Sequence, residues 1–315
     1  MPGRLRHLTG IAGLTKAAVL RLFAGADTFA RARENNNPPR TLAGKLIVNI
    51  FFESSTRTRT AFEASARQLG ADVVNLDRIT MSGDNKSESL ADTVRTVSAM
   101  GAAGIVLRHG EAGAAKKAAA AAPENVAVIN GGDGNNAHPT QGLADAYTVR
   151  GKFGDSFADL RIAIVGDIVN SRVARSDARI FRLLGARDIR LVGPPKLCPP
   201  PMAKLLGGRV VRDMDEGIDG CDIVVLLRMQ RERVVGDGFF PSVADYFRNY
   251  GMTAQRLKTL TAKRREAIIM HPGPINRGAE IADAVADGKY SYILRQVKNG
   301  MAVRMAVLTE LCAGK

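Results

Sequence analysis

The chain has no tryptophan, three cysteines, and only 31 acidic residues against 45 basic ones. No apolar run approaches the roughly 18 residues that a membrane-spanning helix needs. Cys198, Cys221 and Cys312 lie far apart and form no CxxC pair, which argues against a zinc site or a disulfide framework and favours a reducing compartment such as the cytoplasm. The net charge of +14 attracts anions in general: nucleic acid, acidic lipid or small acidic substrates. A nucleic-acid surface would pair a basic cluster with aromatics. Here the aromatics are sparse and the basic residues are spread along the chain, so neither nucleic acid nor membrane is expected as a partner. No acid precedes Asp27, a composition a transit peptide would share, but Val19, Leu22, Phe23, Ala26 and Ala30 read as the core face of a structural helix.

What the chain does have is a repeated alternation of short apolar runs and amphipathic segments. Strands are expected at 45–52, 72–76, 103–107, 126–130, 161–165, 188–192, 222–227 and 267–270. Helices are expected at 16–34, 56–69, 88–99, 111–121, 140–150, 172–184, 201–206, 253–260 and 291–312. Strands that alternate with helices imply an α/β fold with parallel sheets covered on both faces. A composition change at Gly151-Lys152-Phe153-Gly154-Asp155 suggests one domain over 1–150, completed by the C-terminal helix 291–315, and a second over 151–290. The last helix would turn Ile293, Val297, Val303, Val307 and Leu311 toward the first domain. The fold class expected is thus two doubly wound domains, each a mainly parallel sheet flanked by helices and bridged by interdomain helices.

The most informative stretch is Phe51-Phe52-Glu53-Ser54-Ser55-Thr56-Arg57-Thr58-Arg59-Thr60, which gathers hydroxyls and guanidiniums where a strand hands over to a helix. The first N–H groups of a helix lack internal partners, and the macrodipole leaves partial positive charge there. Thr60 and Glu63 have capping-box spacing, which would explain one hydroxyl. It would not explain two arginines at the positive end of a helix, which an anion such as phosphate would offset.

Ser55-Thr56-Arg57-Thr58-Arg59, with Phe62-Glu63, resembles the carbamoyl-phosphate motif of the aspartate and ornithine carbamoyltransferases. The rest of the chain follows that family in order: Lys86-Ser87-Glu88-Ser89-Leu90-Ala91-Asp92-Thr93, then Arg108-His109, then His138-Pro139-Thr140-Gln141-Gly142-Leu143-Ala144-Asp145, then His271-Pro272-Gly273-Pro274. Five such stretches in the correct order are far more specific than one. His271-Pro272-Gly273-Pro274 lacks the cysteine typical of that stretch in the ornithine branch. Arg228-Met229-Gln230-Arg231-Glu232-Arg233 and Asn276-Arg277-Gly278 resemble the catalytic chains of the aspartate branch. Charge agrees, because arginines would repel the ammonium of ornithine and bind the two carboxylates of aspartate.

The resemblance implies transfer of a carbamoyl group from carbamoyl phosphate to L-aspartate in pyrimidine biosynthesis, with no cofactor and no metal. It implies that Ser55, Thr56, Arg57 and Thr58 hold the phosphate. Thr58, Arg108 and His138 would surround the carbonyl oxygen, Gln141 would bond the carbamoyl NH2, and Pro272, Gly273 and Pro274 would present backbone carbonyls. Arg172, Arg228 and Gln230 would bind aspartate. Ser82 and Lys86 would reach a neighbouring subunit's site, which makes a homotrimer with shared active sites the expected assembly and leaves larger ones, with regulatory or dihydroorotase chains, open. Taken alone, Lys86 and Arg228 read equally well as solvated loop charges, and His109 reads as structural. The alternatives are carbamoyl transfer to ornithine or another amine, and a non-enzymatic anion- or nucleic-acid-binding protein.

Overall fold

The computed structural model describes residues 5–77, 88–230 and 242–314. The chain separates into two compact units. One comprises Met1–Tyr147 and Lys298–Lys315, the other Thr148–Val297.

The first unit holds strands β1 (Leu46–Phe51), β2 (Asp72–Asp77), β3 (Ala102–His109) and β4 (Ala127–Asp133) in the order β2-β1-β3-β4. Every pairing is parallel. Five of the six β1 residues are buried, as expected of a strand covered on both faces. Helices α1 (Lys16–Glu34), α2 (Thr56–Gln68), α3 (Leu90–Ala99) and α4 (Ala114–Ala121) surround the sheet. On one face Val94 and Val97 of α3 and Ala114 and Ala118 of α4 meet Val48, Ile50, Ile105, Leu107 and Val128. The alanines let α4 lie close to the strands. The N-terminal residues belong to this unit: Leu8 bridges Ile129 in β4, and Leu8, Ile11 and Leu14 are buried.

The second unit holds β5 (Arg161–Val165), β6 (Asp188–Val192), β7 (Arg209–Val211), β8 (Ile223–Leu226) and β9 (Ile268–Met270), ordered β7-β6-β5-β8-β9 and all parallel. Its helices include α6 (Arg172–Leu184), α7 (Pro201–Leu206), α8 (Met214–Ile218), α9 (Val243–Tyr250), α10 (Ala254–Lys263) and α11 (Asp283–Ala286). The unit boundaries fall inside two helices, α5 (Pro139–Phe153) and α12 (Ile293–Cys312).

Several details differ from expectation. Thr60, despite its capping-box spacing with Glu63, is not the cap of α2; the cap is Ser55, whose Oγ accepts from Thr58 N–H at 3.3 Å. Phe29, not Ala30, completes the buried face of α1. Val297 is 57% exposed, whereas Val303, Val307 and Leu311 are buried. The helix at 140–150 continues through Gly151 to Phe153. Strand β7 and helices α8 and α11 are three to five residues long, too short to show a hydrophobic period. Helix α9 buries only Tyr246, so no apolar stripe announced it; Ser242 caps it by accepting from Asp245 N–H.

Candidate functional site

Because all strands of each sheet are parallel, their carboxyl ends share one edge. In the first unit the adjacent strands β1, β3 and β4 carry Ser55–Thr58, Arg108 and His138 just beyond or at that edge. In the second, the adjacent strands β5, β8 and β9 carry Arg172, Arg228 with Gln230, and His271–Pro274.

The first cluster is built on α2, whose first turn contains no acid. Ser55 and its capping bond fix the entry into the helix, Thr58 is buried, and Thr56 and Arg57 are exposed. The second arginine has a local counter-ion, since Arg59 Nη1 lies 3.5 Å from Asp77 Oδ2. Arg108 closes β3 with Nη2 3.0 Å from Glu53 Oε2, and its Nη1 donates to the Gly131 carbonyl at 3.2 Å. Phe52 N–H donates to the Arg108 carbonyl at 2.9 Å, so the β1 turn and the β3 end are fastened together.

The glycine-rich approach to His138 reads from sequence as flexible, and the structure corrects this. Strand β4 runs through Gly131 and Gly132 to Asp133, all buried. Asp133 Oδ1 accepts from Asn130 Nδ2 at 2.8 Å and Ala137 N–H at 3.1 Å, while Oδ2 accepts from Gly113 N–H at 2.8 Å and Asn136 Nδ2 at 3.0 Å. One buried carboxylate thus folds the 133–137 turn and delivers His138 to the start of α5, where Pro139 is the first helical residue. His138 is 6% exposed. Three residues on, Gln141 Nε2 donates to Asp145 Oδ1 at 2.9 Å. That bond engages one N–H of the amide and orients Gln141 with its Oε1 as the acceptor.

His109 takes the structural role expected of it: Nδ1 accepts from Glu111 N–H at 2.9 Å, and the ring meets Phe52 edge-on at 4.8 Å. Beneath α2, Arg304 of α12 is buried over the Phe62 ring at 5.4 Å and donates to the Gly300 carbonyl. Burial pulls its guanidinium down to about 10, partly offset by the charge of Asp145.

In the second unit Gly166 follows β5 at φ 127°, and a Cβ there would stand 2.8 Å from the Leu227 carbonyl, so only glycine fits. Asp167 follows, wholly buried. Its Oδ1 accepts from Asn170 N–H at 3.1 Å, and its Oδ2 accepts from Gln230 N–H at 3.3 Å. This carboxylate ties the β5 turn to the segment after β8 and so brings Arg172, buried at 6% exposure, and Arg228, half-buried, into one local framework. Ser171 caps α6 by accepting from Ala174 N–H at 3.1 Å, which makes Arg172 its first residue, a position where a cation opposes the helix dipole. Pro272 and Gly273 are partly buried, Pro274 is exposed, and the Gly273–Pro274 peptide is cis.

Ser82, Lys86, Arg231 and Arg233 lie outside the described residues. Among the described residues, no three His, Cys, Asp or Glu side chains are grouped to hold a metal, and no helix is long and apolar enough to cross a membrane. Asp133, Asp167 and Glu53 are functional supports that the sequence motifs do not single out. Their shared signal is an acid at or just past a strand end, within a turn rich in Asn, Ser or Gly.

Parallel strands with charged and hydroxyl side chains collected at their carboxyl ends define the class of α/β proteins that take ligands at that edge. More particularly, the chain belongs to the aspartate/ornithine carbamoyltransferase family. The carbamoyl-P binding domain of that family matches residues 6–151, and its Asp/Orn binding domain matches residues 158–311. Among solved structures, aspartate transcarbamoylase from Trypanosoma cruzi in complex with carbamoyl aspartate and phosphate is 28% identical with a TM-score of 0.84, covering 97% of this chain and 95% of that one. Ornithine carbamoyltransferase from Pyrococcus furiosus is 25% identical with a TM-score of 0.86, covering 98% of each chain. The Trypanosoma cruzi enzyme with N-(phosphonacetyl)-L-aspartic acid is 26% identical with a TM-score of 0.80, covering 97% and 96%.

Proposed function

We propose that this carbamoyltransferase-family chain carbamoylates L-aspartate, forming N-carbamoyl-L-aspartate and phosphate in pyrimidine biosynthesis. The observation that carries the reading is the acid-free, arginine-bearing first turn of α2 at the carboxyl end of β1, with Arg108 ending the adjacent strand. That turn suits a phosphate dianion. The choice of amine rests on Arg172 and Arg228, held in one framework by Asp167, and on the absence of cysteine from His271-Pro272-Gly273-Pro274. Two arginines match two carboxylates and would repel a second ammonium. The Trypanosoma cruzi relative has been seen with carbamoyl phosphate and aspartate together.

In this reading Ser55, Thr56, Arg57 and Thr58 hold the phosphate. The amine lone pair attacks the carbonyl carbon, and the C=O electron pair moves onto oxygen. Thr58, Arg108 and His138 donate to that oxyanion. Gln141 accepts from the carbamoyl NH2 through Oε1. The oxyanion's electron pair then re-forms C=O as the C–O bond to phosphate breaks, Arg57 stabilises the charge that leaves, and the departing phosphate takes the proton of the amine. Positioning and charge stabilisation carry the catalysis. His138 acts as a neutral donor. Lys86 and Ser82 complete the site of a neighbouring subunit in a homotrimer.

The test is direct: carbamoyl phosphate supplied with aspartate, ornithine and a panel of other amines, with products identified by mass. Aspartate is expected as the preferred acceptor. Carbamoylation of ornithine in its place would overturn the choice of amine, and release of phosphate with no amine carbamoylated would overturn the transfer itself.

A further inference from the structure

His271 opens the Pro272-Gly273-Pro274 segment but has no part in the chemistry above. It is nevertheless 1% exposed and faces Glu280, which is also 1% exposed. Gly273 N–H donates to His271 Nδ1 at 2.8 Å. A ring nitrogen that accepts carries no proton, so the proton of the neutral imidazole sits on Nε2. That nitrogen stands 3.2 Å from Glu280 Oε1 and is therefore the donor. The same oxygen accepts from Asn276 N–H at 2.6 Å. Behind the ring, His271 N–H donates to Gln296 Oε1 of α12 at 2.9 Å.

These bonds grip the backbone on both sides of the cis Gly273–Pro274 peptide, at Gly273 and at Asn276. Gly273 has φ 71°, a conformation that glycine takes without strain. Every anchor engages an N–H. Among the described residues, no carbonyl of Pro272, Gly273 or Pro274 accepts a hydrogen bond, although Pro272 and Gly273 are partly buried. The segment is held by its donors and leaves its acceptors unengaged at the carboxyl end of β9.

We propose that His271 and Glu280 are a positioning pair, a neutral Nε2–H imidazole locked to a buried carboxylate, that fixes the direction of the unengaged carbonyls of Pro272, Gly273 and Pro274. The proposal rests on the functional reading above, in which those carbonyls receive the N–H groups of the carbamoyl amide and the incoming amine. A displacement of about 1 Å in such a group can cost about a hundredfold in rate. Neither side chain touches substrate. Their effect travels through the loop.

The first test needs no turnover. The protein has four histidines, so selective ¹⁵N-histidine labelling gives a readable spectrum, with His271 assigned by its loss in H271N. A protonated Nε2 beside a bare Nδ1 is expected; a proton on Nδ1 overturns the proposal. Amide exchange at Gly273 and Asn276 should accelerate by at least about tenfold in E280A relative to wild type, and unchanged protection would overturn it too.

Kinetics then separate positioning from mere stability. Asparagine can keep the acceptor for Gly273 N–H, and glutamine at position 280 can keep an oxygen for both donors. E280A and H271A should therefore lose kcat by about tenfold or more, while E280Q and H271N lose distinctly less, and KM for carbamoyl phosphate should move by less than about threefold. Full kcat in E280A and H271A, with wild-type melting temperatures, would overturn the pair's role. A wild-type protein that carbamoylates no amine would overturn the functional reading, and the tautomer and exchange results would still decide whether the pair fixes the loop.

Discussion

The guanidinium of Arg108 lies 3.0 Å from the carboxylate of Glu53, an ion pair joining the end of β3 to the turn that follows β1. The arginine side chain is 11% exposed and the glutamate 31%, so the pair is neither a surface ornament nor fully desolvated. Glu53 holds in place a group proposed to meet the reacting oxygen. Arg108→Ala should lower kcat on the order of a hundredfold, the usual cost of one oxyanion donor. Glu53→Ala should cost about 1–2 kcal/mol of stability, between the values for exposed and buried pairs, and lower kcat less than Arg108→Ala does. Steady-state kinetics with urea unfolding check both.

Arg57 is exposed at the first turn of α2 and makes a clean probe of the phosphate reading. Arg57→Ala should abolish turnover while stability stays within about 0.5 kcal/mol, as for most surface substitutions. Near-normal turnover would remove its proposed role.

Asp167 links two places that local sequence cannot link, the β5 turn and Gln230. Asp167→Ala should raise KM for aspartate by about tenfold or more while KM for carbamoyl phosphate moves little, because the two arginines proposed to bind the acceptor lose their common support. Arg172→Lys should also raise KM for aspartate, since a single ammonium cannot bond a carboxylate bidentately. Equal changes in both KM values would contradict this assignment.

Burial pushes the thiol of Cys198 up to about 11 and that of Cys221 up to about 12. Their ordinary value is 9.0. The folded state therefore keeps protons that the unfolded chain releases, and stability present below pH 9 is lost as pH rises toward 11–12. The slope is at most about 1.4 kcal/mol per pH unit for each thiol. Cys221→Ala should flatten the alkaline limb of a urea-stability profile. A thiol reagent at neutral pH should leave both cysteines unmodified in the folded protein, and rapid labelling there would count against the assignment.

The proposed sharing of sites between subunits makes a separate prediction. Lys86→Ala and Arg57→Ala proteins, each inactive, should regain part of the activity when mixed and allowed to exchange subunits. In a mixed trimer some sites receive an intact residue from each chain. No recovery after verified exchange would argue for self-contained sites.

Most of the fold was legible before any coordinates. Helices at 16–34, 172–184 and 201–206 and strands at 161–165 and 188–192 match the observed elements residue for residue. They are long enough, or sharply enough capped, for local periodicity and turn chemistry to decide them. What escaped was short or had too little apolar surface to show: β7 at a sheet edge, α8, α11 and α9. The capping-box spacing of Thr60 and Glu63 recurs by chance inside α2, and the backbone places the cap at Ser55, five residues earlier.

The sequence by itself determined the alternation of strands and helices, the family, and the residue types waiting at the strand ends, because each depends on neighbours close along the chain. The tertiary structure decided which acids hold those residues. Asp133 gathers donors from Gly113 to Ala137, Asp167 spans from β5 to Gln230, and Glu280 reaches back to His271. A buried carboxylate must find its distant donors wherever folding brings them, and the pairings of Asp133 with Gly113 and of Asp167 with Gln230 are written in no local pattern.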